Sequence, residues 1–254
     1  MNSLFDIEEQ QVHSRDNDLP LLSFTDNLLA SDYLDPDDFC KSIAKDYVGD
    51  EFLRILHMNV DNLTTKFDAF SSLTTQQLVG TDSSPFFDIL AVSETHLRSS
   101  STSANTNSLS EDEVNLSLSG YGFHGKSRTN MRKGGIGFFV KNSIYDRFSV
   151  EEELSVFHEG IFESIFIKLH SQSPTPGNHR TVVIGAVYLP NGIRGNKAKI
   201  FEIFDSISDL VQKRNYKCII VGDMNIDMMK YKSDDNVAEY IDNQVSNGFK
   251  FRFA

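Results

Sequence analysis

The sequence predicts an α/β sandwich of layers built on mixed sheets, and three observations carry that prediction. Short apolar runs suited to buried strands outnumber the helical patterns. The helical patterns carry their apolar residues on one side, as helices covering a sheet do. Many connections between the runs read as hairpins rather than strand–helix–strand crossovers, so parallel and antiparallel pairs should mix.

The periodic signal starts at Phe52, and Phe52–Met58 reads as a buried strand. Asn62–Val79 places Leu63, Phe67, Phe70, Leu73 and Leu78 near helical spacing and closes at Gly80. Phe86–Val92 reads as a second buried strand. Residues 98–119 form a loop rich in Ser, Thr and Asn that ends in the acidic patch Glu111, Asp112, Glu113. Leu118-Ser119-Gly120-Tyr121 reads as structural. Further strands are expected over Gly135–Val140, Ile161–Leu169, Thr181–Tyr188 and Cys218–Val221. Between the last two, Ala198–Val211 reads as an amphipathic helix with Ile200, Phe201, Phe204, Ile207 and Leu210 on one side. A short helix is expected over Val237–Val245. No internal repeat is visible.

Residues 1–50 have a different composition. They hold 12 acidic residues against Arg15, Lys41 and Lys45, a net of −9 out of −12 for the 254-residue chain. They read as an acidic, disordered segment with one weak helix near Asp37–Ala44, contributing little to the fold. Residues 51–254 then form one domain with a net charge of −3. Such a domain can bind DNA if its bases cluster on one face, but it exerts no strong electrostatic pull. No apolar run approaches the roughly 20 residues of a membrane span, and the N-terminus lacks the pattern of a signal peptide. Two cysteines, Cys40 and Cys218, cannot build a disulfide framework. Cys218 lies in an apolar strand and reads as a small core residue. The expectation is an intracellular protein, in nucleus or cytoplasm.

Four polar motifs follow apolar strands. They are His57-Met58-Asn59-Val60-Asp61, Ser93-Glu94-Thr95-His96, Tyr188-Leu189-Pro190-Asn191 and Gly222-Asp223-Met224-Asn225-Ile226-Asp227. One Asp or Asn after a strand is usually a turn former or helix cap. Four such motifs in this order, each at a strand's C-terminal end, are poorly explained that way. Together they resemble the endonuclease/exonuclease/phosphatase superfamily, whose pattern runs from a strand-end Asn through Glu, Tyr-x-Pro and Gly-Asp-x-Asn to Ser-Asp-His. The resemblance covers roughly residues 52–250.

Within that superfamily the chain looks most like the endonuclease of LINE-like (non-LTR) retrotransposons. The residues that carry this are Asn59 with Leu63 and Lys66-Phe67-Asp68, and the run Asp88-Ile89-Leu90-Ala91-Val92-Ser93-Glu94-Thr95-His96-Leu97. Gly120-Tyr121, Arg128 before Gly134-Gly135-Ile136-Gly137, Val187-Tyr188-Leu189-Pro190 and Ile220–Asp227 add to it. Asn59-Val60-Asp61 and Tyr188-Leu189-Pro190-Asn191 also resemble apurinic-site repair endonucleases.

The resemblance implies a four-layer α/β sandwich, with two packed mixed sheets flanked by helices, and a Mg²⁺-dependent DNA endonuclease, with Mn²⁺ as an alternative metal. It makes Glu94, Asn59 and Asp61 metal ligands and Asp223, Asn225 and Tyr188 catalytic, with Asn191 assisting at the phosphate. These residue types suit the chemistry, because phosphodiester hydrolysis needs charge offset, an oriented water and a stabilised leaving oxygen. Mg²⁺ prefers hard oxygen ligands. Arg128, Arg132 and Lys133 read as a basic loop for DNA phosphates.

Other residues have blander readings. Gly135-Ile136-Gly137 reads as a close strand approach rather than a nucleotide loop. His57 reads as a packed strand histidine, His96 as a residue behind Glu94 or at the surface rather than a metal ligand, and Asp227 as a turn cap.

The chain departs from the family pattern at its end. None of its seven histidines follows Asp223, so Ser-Asp-His and the final strands are missing from it. The resemblance therefore implies a truncated domain of impaired activity, detached from the reverse transcriptase of the intact element. The alternatives are a repair-type or other phosphoesterase of the superfamily, and a catalytically dead remnant.

Overall fold

Side chains of a strand alternate between two faces, and here the faces of two sheets go to three separate cores. The computed structural model describes residues 3–7, 53–75, 87–97, 118–129, 133–170 and 181–253. The first half contains β1 (Ser3–Ile7), β2 (Ile55–Asn59), α1 (Leu63–Thr75), β3 (Ile89–Ser93), β4 (Tyr121–Lys126), β5 (Ile136–Lys141) and β6 (Phe148–Val150). The second half contains β7 (Phe157–His158), β8 (Phe162–Leu169), β9 (Val182–Tyr188), β10 (Pro190–Ile193), α2 (Lys197–Lys213), β11 (Lys217–Asp223), α3 (Asp235–Ser246) and β12 (Phe249–Phe253).

One sheet has four strands in the order β2-β3-β5-β4, and the other runs β12-β1-β11-β9-β8-β6 with β7 beside β8. Both are mixed. β2 and β3 are parallel while β5 opposes β3, and β9 and β11 are parallel while β8 opposes β9.

Alternation sorts the cores. Ile89 and Ala91 of β3, Ile136 and Phe138 of β5, and Ile184 and Ala186 of β9 pack between the sheets. Leu90 and Val92 face the other way, onto Leu63 and Phe70 of α1. Val183 and Val187 of β9 and Cys218 and Ile220 of β11 pack under α2 and α3. The result is four layers, α1, sheet, sheet, and α2 with α3, as the resemblance implied. α2 buries Ile200, Ile203, Phe204, Ile207, Ser208 and Val211. Phe201 and Leu210, expected on that stripe, are only partly buried at its margin. Two glycines allow contacts that a side chain would block. A Cβ on Gly222 would lie 1.9 Å from the Val187 carbonyl oxygen, and one on Gly137 would lie 2.5 Å from the Phe123 ring. The latter fits the close approach read at Gly135-Ile136-Gly137.

Two differences from the sequence reading stand out. Ser3–Ile7, expected to contribute little, forms a strand between β11 and β12, antiparallel to both. Ladders on both sides satisfy its backbone, which offsets the ordering cost that its acidic surroundings argued against. The rest of residues 1–50, with the helix expected at Asp37–Ala44, lies outside the described residues. β4 was also missed, because Gly122, His124, Gly125 and Lys126 break the apolar pattern of Tyr121–Lys126. No helix among the described residues is long and apolar enough to cross a membrane.

Candidate active site

Two parallel pairs, one per sheet, end at the same place. Asn59 ends β2 in register with Ser93 of β3, and Tyr188 ends β9 in register with Asp223 of β11. Alternation puts Asn59 on the face of Ile55, Tyr188 on that of Ile184, and Asp223 on that of Val221, and these apolar neighbours all pack between the sheets. The polar groups therefore form the rim of the inter-sheet layer.

The loops after β2 and β3 are tied together. Asn62 N–H donates to the Glu94 carbonyl at 2.8 Å and Leu63 N–H to that of Thr95 at 3.0 Å. They carry unusual backbone, with φ of 39° at Asp61, 80° at Asn62, 56° at Glu94 and 52° at His96. Asn225, after β11, adds 49°. Strained non-glycine residues cluster where surrounding structure over-determines them, which is common at functional sites.

Asn59 joins the acidic groups. Its amide nitrogen donates to Glu94 Oε1 at 2.7 Å and to Asp223 Oδ2 at 2.9 Å. Its oxygen accepts from Asp61 N–H at 3.1 Å, so it faces the backbone rather than the carboxylates. Asp223 Oδ1 accepts from the Asn225 N–H at 3.0 Å, and the Asn225 amide nitrogen donates to the Leu189 carbonyl at 3.0 Å. The Tyr188 hydroxyl hydrogen-bonds Glu94, and burial together with that carboxylate pushes its pKa up, so it stays protonated.

Ligand atoms of Asp61, Glu94 and His96 all lie within 4.8 Å of one another. His96 Nε2 is 3.7 Å from Glu94 Oε2, and the His96 side chain is 10% exposed. Among the described residues that buried nitrogen has no hydrogen-bond partner. His96 thus belongs to the cluster, not to the surface. Asp61 is exposed and paired with Lys66 at 3.0 Å, and this hydrogen bond holds its carboxyl below the usual range. Burial lowers the pKa of His96, against the opposing pull of Glu94 and Asp61. Two carboxylates and an imidazole, one nitrogen of it orphaned, fit a divalent cation.

His57 is a packed strand histidine, as expected. It is 4% exposed, with Ser93 Oγ 3.3 Å from its Nε2. Burial lowers its pKa to about 4, although Asp223 pulls the other way. Asp227 caps the following 3₁₀ turn by accepting from Met229 N–H.

The expected basic loop is divided. Arg128 is not at the surface, because its guanidinium is salt-bridged to Glu163 with side chains 5% and 0% exposed. Glu163 also accepts from Gly135 N–H at 2.9 Å and Gly160 N–H at 3.3 Å. A buried guanidinium needs such a counter-charge, so Arg128 belongs to the wall of the site. Lys133 is exposed and lies near enough to influence Asp61 and His96. Arg132 lies outside the described residues. Asn191 donates to the Gly160 carbonyl at 3.3 Å. With Asn225, Arg194, Asp227, Lys230 and Asp234 it lines a cavity of about 260 Å³ to which Asp61, Glu94 and Asp223 do not contribute.

Sequence reasoning missed Glu163. Its one signal was a charged residue inside the apolar run Ile161–Leu169, and its partner lies 35 residues away.

No family model matches the chain, and no curated protein matches it. Among solved structures it is similar to the human nocturnin catalytic domain with bound sulfate, at 15% identity and a TM-score of 0.37, over 63% of this chain and 57% of that one. An endonuclease/exonuclease/phosphatase family protein from Bacteroides thetaiotaomicron matches at 16% identity and a TM-score of 0.39, over 74% and 67%. The inositol polyphosphate 5-phosphatase domain of SPsynaptojanin, in complex with inositol (1,4)-bisphosphate and calcium, matches at 12% identity and a TM-score of 0.36, over 85% and 70%.

Proposed function

We propose that the chain is a divalent-metal-dependent phosphodiester hydrolase, a DNA endonuclease of the LINE-like kind that nicks target DNA so that a 3′ end can prime reverse transcription. The observation that carries the hydrolase reading is the convergence of Asn59, Glu94, Tyr188 and Asp223 from four strand ends of two sheets. The LINE-like part rests on the sequence motifs. The same geometry suits a phosphoesterase acting on abasic DNA or on another phosphoester, and the Asn59-Val60-Asp61 string favours that second reading.

In the proposed site Glu94 and Asp61 hold Mg²⁺ or Mn²⁺. A bound cation would offset phosphate charge and stabilise the leaving oxygen. Asp223 orients a water and takes its proton, and Asn59, hydrogen-bonded to both carboxylates, fixes their spacing. Tyr188, kept protonated, and Asn225 and Asn191 on the neighbouring loops offer donors to phosphate oxygens. Lys133 meets the DNA backbone near Asp61.

The test is nicking of supercoiled plasmid with Mg²⁺, with and without EDTA, beside an abasic duplex and a small phosphomonoester. Chelator-sensitive nicking of intact plasmid supports the endonuclease. Cleavage of only the abasic duplex supports the repair-type reading. Failure to cut any of the three, by a folded chain, refutes both and favours the catalytically dead remnant.

A further inference from the structure

We propose that His96 is itself a ligand of the divalent cation at this site and gives the site a preference for Mn²⁺ over Mg²⁺. This rests on the metal-dependent reading above and deepens it. The case starts from two acidic groups on adjoining loops, Asp61 after β2 and Glu94 after β3, which alone would describe an exposed acidic cluster. His96 changes that description. Its ring is nine-tenths buried, and its Nε2 lies 3.7 Å from Glu94 Oε2, beyond hydrogen-bonding reach. The same nitrogen is a buried polar atom with no hydrogen-bond partner among the described residues. Leaving such an atom unsatisfied is costly, and a cation shared with Asp61 and Glu94 removes the deficit.

The backbone that carries the ring is also held in place. His96 N–H donates to the Gly134 carbonyl at 2.8 Å and Thr95 N–H to the Gly135 carbonyl at 3.3 Å. Gly135 is in turn fixed by its N–H to Glu163. The three ligand atoms, within 4.8 Å of one another, are close to the roughly 4.4 Å that opposed ligands of one ion span with bonds of about 2.2 Å.

Ligand chemistry sets the metal. Mg²⁺ takes oxygen ligands and keeps several waters, so an imidazole adds little for it. Imidazole suits transition metals better, whereas carboxylates suit both Mg²⁺ and Mn²⁺. Between these two ions, a site with two carboxylates and one imidazole therefore favours Mn²⁺ over Mg²⁺.

The experiment measures binding by the full chain, independently of cleavage. Mn²⁺ affinity is read from the free-ion EPR signal and Mg²⁺ affinity by competition, for the unmodified chain, His96→Asn and Glu94→Gln. His96→Asn should weaken Mn²⁺ at least about tenfold and Mg²⁺ by less than about threefold, since water can replace the imidazole. Pulsed EPR of Mn²⁺ on the unmodified chain should show coupling to one imidazole nitrogen, which decides the matter even if the variant does not fold. A Mn²⁺/Mg²⁺ affinity ratio unchanged in folded His96→Asn, or no nitrogen coupling, overturns the assignment. If Glu94→Gln abolishes binding while His96→Asn leaves the ratio unchanged, only the His96 inference falls. If the unmodified chain binds neither ion, the metal-dependent reading falls with it.

Discussion

Glu163 and Arg128 connect the stability of the fold to the geometry of the site, and replacing Glu163 by Gln separates the two contributions. The pair lies at the end of the inter-sheet layer with side chains 0% and 5% exposed. Glu163→Gln keeps the shape and an oxygen that can accept from Gly135, but it leaves the guanidinium buried without that counter-charge. Breaking such a pair by removing one partner costs about 3–5 kcal/mol, a large part of the ~5–15 kcal/mol that holds a domain folded. For a chain of this size each kcal/mol moves the Tm by about 2–4 °C, so the expected drop is on the order of 6–20 °C. Replacing both partners by apolar residues, Glu163→Leu with Arg128→Met, should recover much of the loss, because the desolvation cost of both charges disappears. Thermal melts of Glu163→Gln read the Tm drop, and urea melts of Glu163→Leu, Arg128→Met and the double variant are read as a double-mutant cycle. Glu163→Gln should also weaken metal binding, since the Gly134 and Gly135 carbonyls hold His96 and Thr95 in place. A cost below about 1 kcal/mol, or singles and double that simply add, would show that the buried pair is not coupled as described.

Four further outcomes follow from particular contacts. Mg²⁺ at 100 times its Kd should stabilise the chain by about 2.7 kcal/mol, and Glu94→Gln should remove most of that in a thermal melt; melting indifferent to both would refute the site. Gly222→Ala should destabilise by several kcal/mol or prevent folding, because the new Cβ would lie 1.9 Å from the Val187 carbonyl oxygen, on the backbone of a central strand; a variant with unchanged urea midpoint contradicts that packing. His57, with its pKa lowered from 6.5 to about 4, binds protons more readily in the unfolded chain. Stability should therefore fall as pH drops from about 6.5 to 4, by up to about 3 kcal/mol from this group, and His57→Gln should flatten that part of the pH profile. Asp223→Asn should lower the nicking rate by about 10²–10⁴ while leaving Mg²⁺-induced stabilisation largely in place, and an equal loss of both would make Asp223 a metal ligand instead.

The sequence exposed what local rules govern. Ile89–Ser93, Val182–Tyr188 and Lys217–Asp223 were visible because central parallel strands read as apolar runs, and α2 because its stripe repeats at helical spacing. The site residues at strand ends were visible for the same reason, since Asn59, Glu94, Tyr188 and Asp223 each terminate such a run or directly follow it. What the sequence hid are pairings whose partners lie far apart along the chain. Ser3–Ile7 has no apolar run to announce it and becomes a strand only because β11 and β12 present facing edges. Arg128 looked like a loop cation because nothing near it in sequence indicates Glu163, and burial reverses what a cation can do, from meeting phosphate to bracing a wall. His96 looked peripheral because its neighbours in sequence say nothing of Asp61, which reaches it only through the parallel pairing of β2 with β3. The same pairing brings Asn59 to Glu94. Register is thus the step at which strand-end residues become a site, because a one-residue slip of β2 against β3 would turn Asn59 to the α1 face and leave the two carboxylates unbridged.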